Sequence, residues 1–443
     1  MVTILIWFAA NRFLDESPGP QRDALLVSSN SSLPDDKNIA VGLLGLGAPK
    51  GTDFLQYGSK VKALYASNAP WEQINELIRG PATLRPTVVS DQVNCWLDPD
   101  AAAWPGCLPF ADAPAVLLQN RELLDRYKAL YSLDDYAGIG SLVAKDPYLV
   151  ILYLSIAEMY LDLRQHRYED AYRKWRDQFL FIRRALRGPD NWVGKAVGLV
   201  AIGMTMSFLE PLLQADPTLA KTHAAELLEM LRSEGMAGFN PDGIARQEYA
   251  MLDKYLMVLP DNGSSWQNDK RFWLAYHTGQ RNRIMNRYVV FSQEHALALG
   301  LSWREADQEL DRLRDKYRYS SEQDYLMDPF GSLFIDYYIG VQLKGRELLK
   351  QMHSIDGRMR LATLLVRIIN EQIDDAGIAD FLASLEPNLR DPFSGSPMRW
   401  DPKDRKIYFL DPTDKCNMRG YIQIPNLHQP VMSPPPKVDW RIC

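Results

Sequence analysis

Glu158 and Asp162 stand four residues apart within the apolar run Tyr148 to Leu163, the carboxylate spacing here best suited to acid–base work. On a buried helix face such a pair carries raised pKa values and could divide the roles of acid and base, or hold a cation. The same spacing also serves a structural end. Each carboxylate can bridge to an arginine, Arg164 or one of the next helix, and that is the reading favoured from the sequence.

Arg173, Arg176, Arg183 and Arg187 form the second constellation. At helical spacing they make a guanidinium row able to receive a carboxylate-rich partner or anionic lipid headgroups. Glu169, Asp170 and Asp177 balance it, so a solvated helix face explains the row equally simply.

The remaining chemistry-bearing types fall outside known arrangements. The six histidines, His166, His223, His277, His295, His353 and His428, include no HExxH or HxH pattern, and Glu294-His295 are adjacent residues that point apart on a helix. The hydrolase pattern GxSxG is absent, and Phe393-Ser-Gly-Ser-Pro397 reads as a turn. Val41-Gly-Leu-Leu-Gly-Leu-Gly47 lacks the GK[ST] of a phosphate loop and reads as an apolar segment packed on the core. Four cysteines occur, Cys95, Cys107, Cys416 and Cys443, without a CxxC pair or a histidine at zinc-ligand spacing. No catalytic residue, metal or cofactor is therefore assigned. Cys95 and Cys107 flank a Pro- and Ala-rich loop that a bridge would tie down. An even set of loop cysteines fits an oxidising compartment, with four reduced cytosolic thiols as the alternative and the pairing left open.

Length and composition limit what these residues can belong to. The chain has 443 residues, 46% hydrophobic and 24% charged, with 11 Trp and 21 Tyr, enough for one large or two modest aromatic-rich cores. A net charge of −6 gives no electrostatic footprint for nucleic acid.

Residues 1–14 open on an apolar run, Met1 to Ala10, too short to cross a bilayer, which takes about 20 residues. With no basic residue before it and no convincing cleavage site after it, the run reads as the distal part of a signal anchor, with Trp7 near the interface; the alternative is a buried N-terminal helix or strand of a soluble protein. Residues 15–40, rich in Ser, Pro, Asp and Asn, read as a tether. Residues 41–114 form a loop-rich preface with short helices at 54–67 and 71–79, interrupted by six prolines between Pro81 and Pro114.

Residues 115–387 carry helical periodicity. Helices are expected at 148–163, 169–186, 191–213, 217–233, 242–258, 282–299, 302–317, 330–353, 355–372 and 375–385. Ser302 and Glu305 make a capping box. The run Val193 to Leu209 is shorter than a span and contains Lys195, so it reads as a core helix. The pair 148–186 weakly resembles a tetratricopeptide unit, but no second copy follows at a 34-residue period. Residues 388–443 read as a β-hairpin, its strands around Trp400 and at Ile407 to Leu410, followed by an extended Pro-rich tail that Cys416 and Cys443 could pin. The expected fold is mainly α, a large irregular helical bundle or array with a small C-terminal β-hairpin.

Three segments together resemble an uncharacterised family of proteobacterial cell-envelope proteins. They are Asp36 to Gly47, Asp328 to Phe334 with His353 to Leu361 downstream, and Asp391 to Asp401. The resemblance implies a leading membrane segment, a loop with paired cysteines, helices and a β-like ending, and it brings no activity. The expectation is a non-enzymatic, inner-membrane-anchored protein whose domain faces the periplasm and binds an unidentified envelope protein. The alternatives are a periplasmic enzyme with Glu158 and Asp162 in its site, or a small-ligand binder with a Trp/Tyr-lined pocket.

Overall fold

A computed structural model describes residues 17–20, 33–67, 69, 71–93, 96, 107–136, 145–190, 192–244, 246–248, 281–317, 345–409 and 420–425. The expected anchor (1–14), Cys95, Cys416, Cys443, the motif 328–334 and the tail beyond 425 lie outside the described residues. So do most of the helix expected at 242–258 and the first part of that expected at 330–353.

The described chain is mainly α-helical, with one small antiparallel sheet near its C-terminus. The helices run α1 (Ile39–Gly45), α2 (Phe54–Ala66), α3 (Trp71–Arg79), α4 (Ser90–Val93), α5 (Ala113–Gln119), α6 (Arg121–Ala129), α7 (Lys145–Arg164) and α8 (Tyr168–Arg187). They continue with α9 (Trp192–Ala215), α10 (Thr218–Thr222), α11 (Ala224–Leu231), α12 (Arg281–Leu299), α13 (Trp303–Tyr317), α14 (Gly345–Glu371) and α15 (Ile378–Ala383). Strands β1 (Arg399–Asp401), β2 (Lys406–Tyr408) and β3 (Tyr421–Gln423) form the sheet in that order. The chain divides into two compact units. One comprises residues 1–32, 189–192 and 240–350, the other residues 33–188, 193–239 and 351–443.

In the larger unit the Gly-rich segment 41–47 is a helix with a packing role. Asn38 caps α1 by accepting the Ala40 N–H at 2.9 Å. A Cβ at Gly45 would stand 1.7 Å from the Phe54 carbonyl oxygen, and one at Gly58 would stand 2.0 Å from that of Val41. Only glycine lets the α1 and α2 backbones approach this closely. Arg126, buried on α6, closes the end of α1 by donating to the carbonyls of Leu46 (3.0 Å), Ala48 (2.5 Å) and Pro49 (3.0 Å). Residues 33–40, on the tether side of the expected boundary, already belong to this body: Lys62 pairs with Asp35 at 2.5 Å and Lys37 with Asp134 at 3.1 Å.

The centre of the unit is the α7–α8 hairpin together with α9. It turns at His166, which adopts the left-handed conformation (φ 57) that ends helices. Trp175, Tyr172, Phe179 and Phe181 on α8 are fully buried. The indole N–H of Trp175 donates to the Thr205 carbonyl on α9 at 2.9 Å. Gln178 completes a buried polar relay, accepting from Ser155 (2.6 Å) and Tyr131 (3.1 Å) and donating to Thr205 (2.9 Å). Two-thirds of the apolar stretch of α9 is buried inside the protein, as a core helix requires. Lys195, which interrupts that run, is itself buried. Its ammonium donates to the carbonyls of Leu186 and Gly188, the latter at 2.6 Å, so it caps the C-terminus of α8.

Several expected boundaries shift. The expected helix 217–233 is two helices, α10 and α11, separated at His223. The break expected near residue 354 is absent, since α14 runs unbroken from Gly345 to Glu371. The hairpin gains a third strand, β3, from a segment too short and too near the prolines to show alternation in the sequence.

In the smaller unit α12 and α13 pack as a hairpin around Phe291, which stacks on His295 (5.4 Å between ring centroids) and meets Tyr317 edge-on (5.1 Å). Ser302 and Glu305 meet hydroxyl to carboxylate at 2.6 Å, a side-chain contact and not the side-chain-to-backbone bonds that define the expected capping box.

Candidate functional site

The α7–α8 hairpin carries both sequence-derived constellations. Its two helices run antiparallel about His166, with Glu158 and Lys174 each eight residues from that turn and therefore facing each other. Lys174 Nζ lies 3.0 Å from Glu158 Oε1 and 2.7 Å from Asp162 Oδ2, joining the carboxylates instead of leaving them to act on a ligand. Lys128 of α6 approaches Glu158 Oε2 at 2.6 Å. Arg167 closes the far side, with Nε 3.0 Å from Asp162 Oδ1 and Nη2 on the same oxygen.

Burial by itself would raise the Glu158 carboxyl, but the hydrogen bonds and charges of Lys128 and Lys174 outweigh it and hold the group below the usual range. A general acid at neutral pH requires the opposite shift. Asp162 is 2% exposed and is covered by its partners. Arg164, expected among those partners, instead lies over the Phe110 ring at 3.9 Å from its centroid. Lysines do most of the pairing. Reflecting the sequence about the turn at residues 165–167 would have identified Lys174; Lys128 comes from a helix outside the hairpin.

The four arginines share α8 but not one environment. Arg173 pairs with Asp170 and is 59% exposed, while Arg176 reaches Asp177 at 2.9 Å and Glu226 at 3.5 Å. Arg183, whose side chain is 11% exposed, donates to the carbonyls of Met230 and Arg232 and pairs with Glu234 at 3.0 Å. Arg187 grips the same Glu234, its Nε 3.0 Å from Oε2. The row thus anchors α11 and the loop after it onto α8, collecting the carbonyls that a helix C-terminus leaves unpaired. The sequence gives the spacing of the row; the partners lie some fifty residues downstream.

Segments 353–361 and 391–401 meet in space. His353 packs its ring against Phe393 (5.7 Å between centroids), and Arg360 donates to the Arg390 carbonyl at 2.6 Å. A Cβ at Gly357 would stand 2.6 Å from the Phe409 ring, so glycine is what admits that ring against α14. Asp391 folds its own loop, accepting from the Phe393 N–H (2.8 Å) and the Ser394 hydroxyl (2.7 Å). Asp356, buried at the centre, bridges Ser233 and Arg360, the latter at 2.6 Å. The serines of Phe393 to Pro397 are turn formers, and His353, pushed down to about 4 by burial and by Arg360, is a neutral core ring at pH 7.

Cys107 is the one cysteine among the described residues that bears on the expected pairs, and no described cysteine is a free thiol. No group of three or more His, Cys, Asp and Glu among the described residues is arranged to hold a metal. The sequence reading missed Lys128, Lys174, Asp356 and Glu210, all charged residues whose role depends on distant partners. Comparison with known proteins finds no matching family model, no matching curated protein and no matching solved structure.

Proposed function

We propose that this is a non-enzymatic protein of the cell envelope, held at the inner membrane by its N-terminal segment, facing the periplasm and acting by binding another protein. The observation that carries this reading is what its distinctive residues do. Glu158 and Asp162 are spent on Lys128, Lys174 and Arg167, and the arginine row on Glu234, Glu226 and helix-end carbonyls. The family-like segments 353–361 and 391–401 serve each other's packing. Residues that build a framework rather than a cleft suit a protein that works through its surface.

The compartment has its own support. The expected disulfide is part of this reading: Cys107 is not a free thiol, and structural bridges persist in oxidising surroundings. A bridge from Cys107 to Cys95, twelve residues upstream across the Pro-rich loop, belongs to the same proposal.

The test is fractionation of the native gene product followed by crosslinking and capture of the membrane-bound form. Recovery in the membrane fraction after alkaline carbonate extraction, with one protein captured reproducibly, is the expected result. A product found wholly in the cytosolic fraction would sink the reading. So would loss of deletion-strain rescue by Glu158→Gln in a normally folded chain, because it would return a chemical role to that carboxylate.

A further inference from the structure

Ser17 and Gly19, shortly after the N-terminal apolar run, are clasped by a single side chain of α12. The Gly19 N–H donates to Asn286 Oδ1 at 2.7 Å, and Asn286 Nδ2 donates to the Ser17 carbonyl at 2.9 Å. A Cβ at Gly19 would stand 3.0 Å from Asn286 Oδ1, so the backbone lies close against that amide. Both sides of the clasp belong to the smaller unit, and residues 17–19 are thereby fixed to that body.

Helical geometry places an apolar stripe directly beyond the clasp. Val290, Gln293 and Leu297 stand four, seven and eleven residues after Asn286, within about 40° of it around the helix axis. Leu301 follows the last turn, its N–H donating to the Ala298 carbonyl at 3.2 Å. Leu297 is 70% exposed, and Val290 and Leu301 are exposed as well. These are three of the five large hydrophobic side chains exposed among the described residues, and no charged residue stands on the stripe. Tyr288, Val289, Phe291 and Leu299 fill the buried side of α12, so the core does not use the stripe. Apolar residues exposed singly need no explanation, but a row that starts beside a fixed point of the chain does.

We propose that this stripe of α12 rests on the bilayer that receives the N-terminal run, with Val290, Leu297 and Leu301 entering the acyl boundary and Asn286 holding them there. The proposal rests on the membrane-anchor reading. Ala10, the end of the apolar run, is seven residues from Ser17, so at most about 25 Å separates the two. Leu297 lies about 17 Å along α12 from the clasp, inside the same reach. Three side chains bind an interface weakly from free solution. A short tether makes the encounter intramolecular and raises the effective concentration of lipid. That tether is what selects lipid over a protein or a second copy, since the bilayer is the apolar surface it keeps within reach.

A benzophenone photo-crosslinking side chain in place of Leu297 tests this, with the full chain on vesicles of phosphatidylethanolamine and phosphatidylglycerol and adducts read by mass spectrometry. Phospholipid adducts at the Leu297 site are expected. The same group in place of Phe8 reports on the anchor separately. Adducts at the Phe8 site with none at the Leu297 site overturn this proposal and leave the anchor reading intact; adducts at neither overturn both. A dimer crosslinked through the Leu297 site, instead of lipid adducts, gives the stripe to a second copy and also overturns the proposal. Asn286→Ala should cut the yield at the Leu297 site about fivefold and leave the Phe8 site unchanged. An undiminished yield at the Leu297 site overturns the part given to the clasp.

Discussion

Lys174 stands 2.7 Å from Asp162 across the α7–α8 hairpin, an ammonium one-third exposed against a carboxylate that is 2% exposed. The pair converts what looks in sequence like a reactive carboxylate into a clamp between two helices. Removing Asp162 leaves Lys174 with Glu158 alone, and removing Lys174 leaves the buried Asp162 with Arg167 alone.

Asp162→Ala should therefore lower stability by about 2 kcal/mol, a value reduced from that of a fully buried pair because Lys174 keeps contact with water. Urea unfolding of Asp162→Ala, Lys174→Met and the double variant gives the coupling. An interaction energy below about 0.5 kcal/mol would show that the clamp does not contribute.

The arginine row should divide by environment. Arg183→Ala removes donors from the Met230 and Arg232 carbonyls and from Glu234, and should cost about 2 kcal/mol. Arg173→Ala loses one exposed pair and should stay within about 0.5 kcal/mol. Equal effects in thermal unfolding would contradict the assignment of the row to anchoring α11.

Two buried histidines predict acid sensitivity. Burial pushes His353 in the larger unit and His295 in the smaller one down to about 4, with Arg360 also acting on His353. The unfolded chain then binds more protons between pH 4 and 6.5, so the stability these rings contribute is full above pH 6.5 and declines as pH falls. His353→Leu should accordingly lose about 2 kcal/mol less than wild type between pH 7 and pH 5 in denaturant titrations. Parallel curves would refute the assignment.

Glycines separate close approach from turn geometry. Gly45→Ala drives a Cβ into the Phe54 carbonyl and should cost about 3 kcal/mol, or prevent α1 from docking on α2. Gly51→Ala meets nothing within 4 Å but sits at φ +75, and should cost about 1 kcal/mol. Circular dichroism melts of the two variants give the comparison, and a Gly51 effect as large as that of Gly45 would count against the close helix crossing.

The helical character of the chain was legible without coordinates. The stripe Tyr172, Trp175, Phe179, Ile182 and Leu186 has the period of a helix with one buried face, and the structure places α8 over the expected residues. Lys195 inside the run Val193 to Leu209 argued for a core helix, and that helix is mostly buried in the larger unit. Local periodicity is a property of neighbouring residues, and neighbours are what a sequence lists. Partnership is not. Whether Glu158 was an acid or half of an ion pair depended on Lys128, thirty residues upstream on another helix. The third strand owed its place to Glu210 and Gln214, more than two hundred residues away. The sequence by itself determined which faces had to be buried. Tertiary structure decided which charges meet, because a carboxylate's pKa and purpose are set by whatever the folded chain brings within a few ångströms of it.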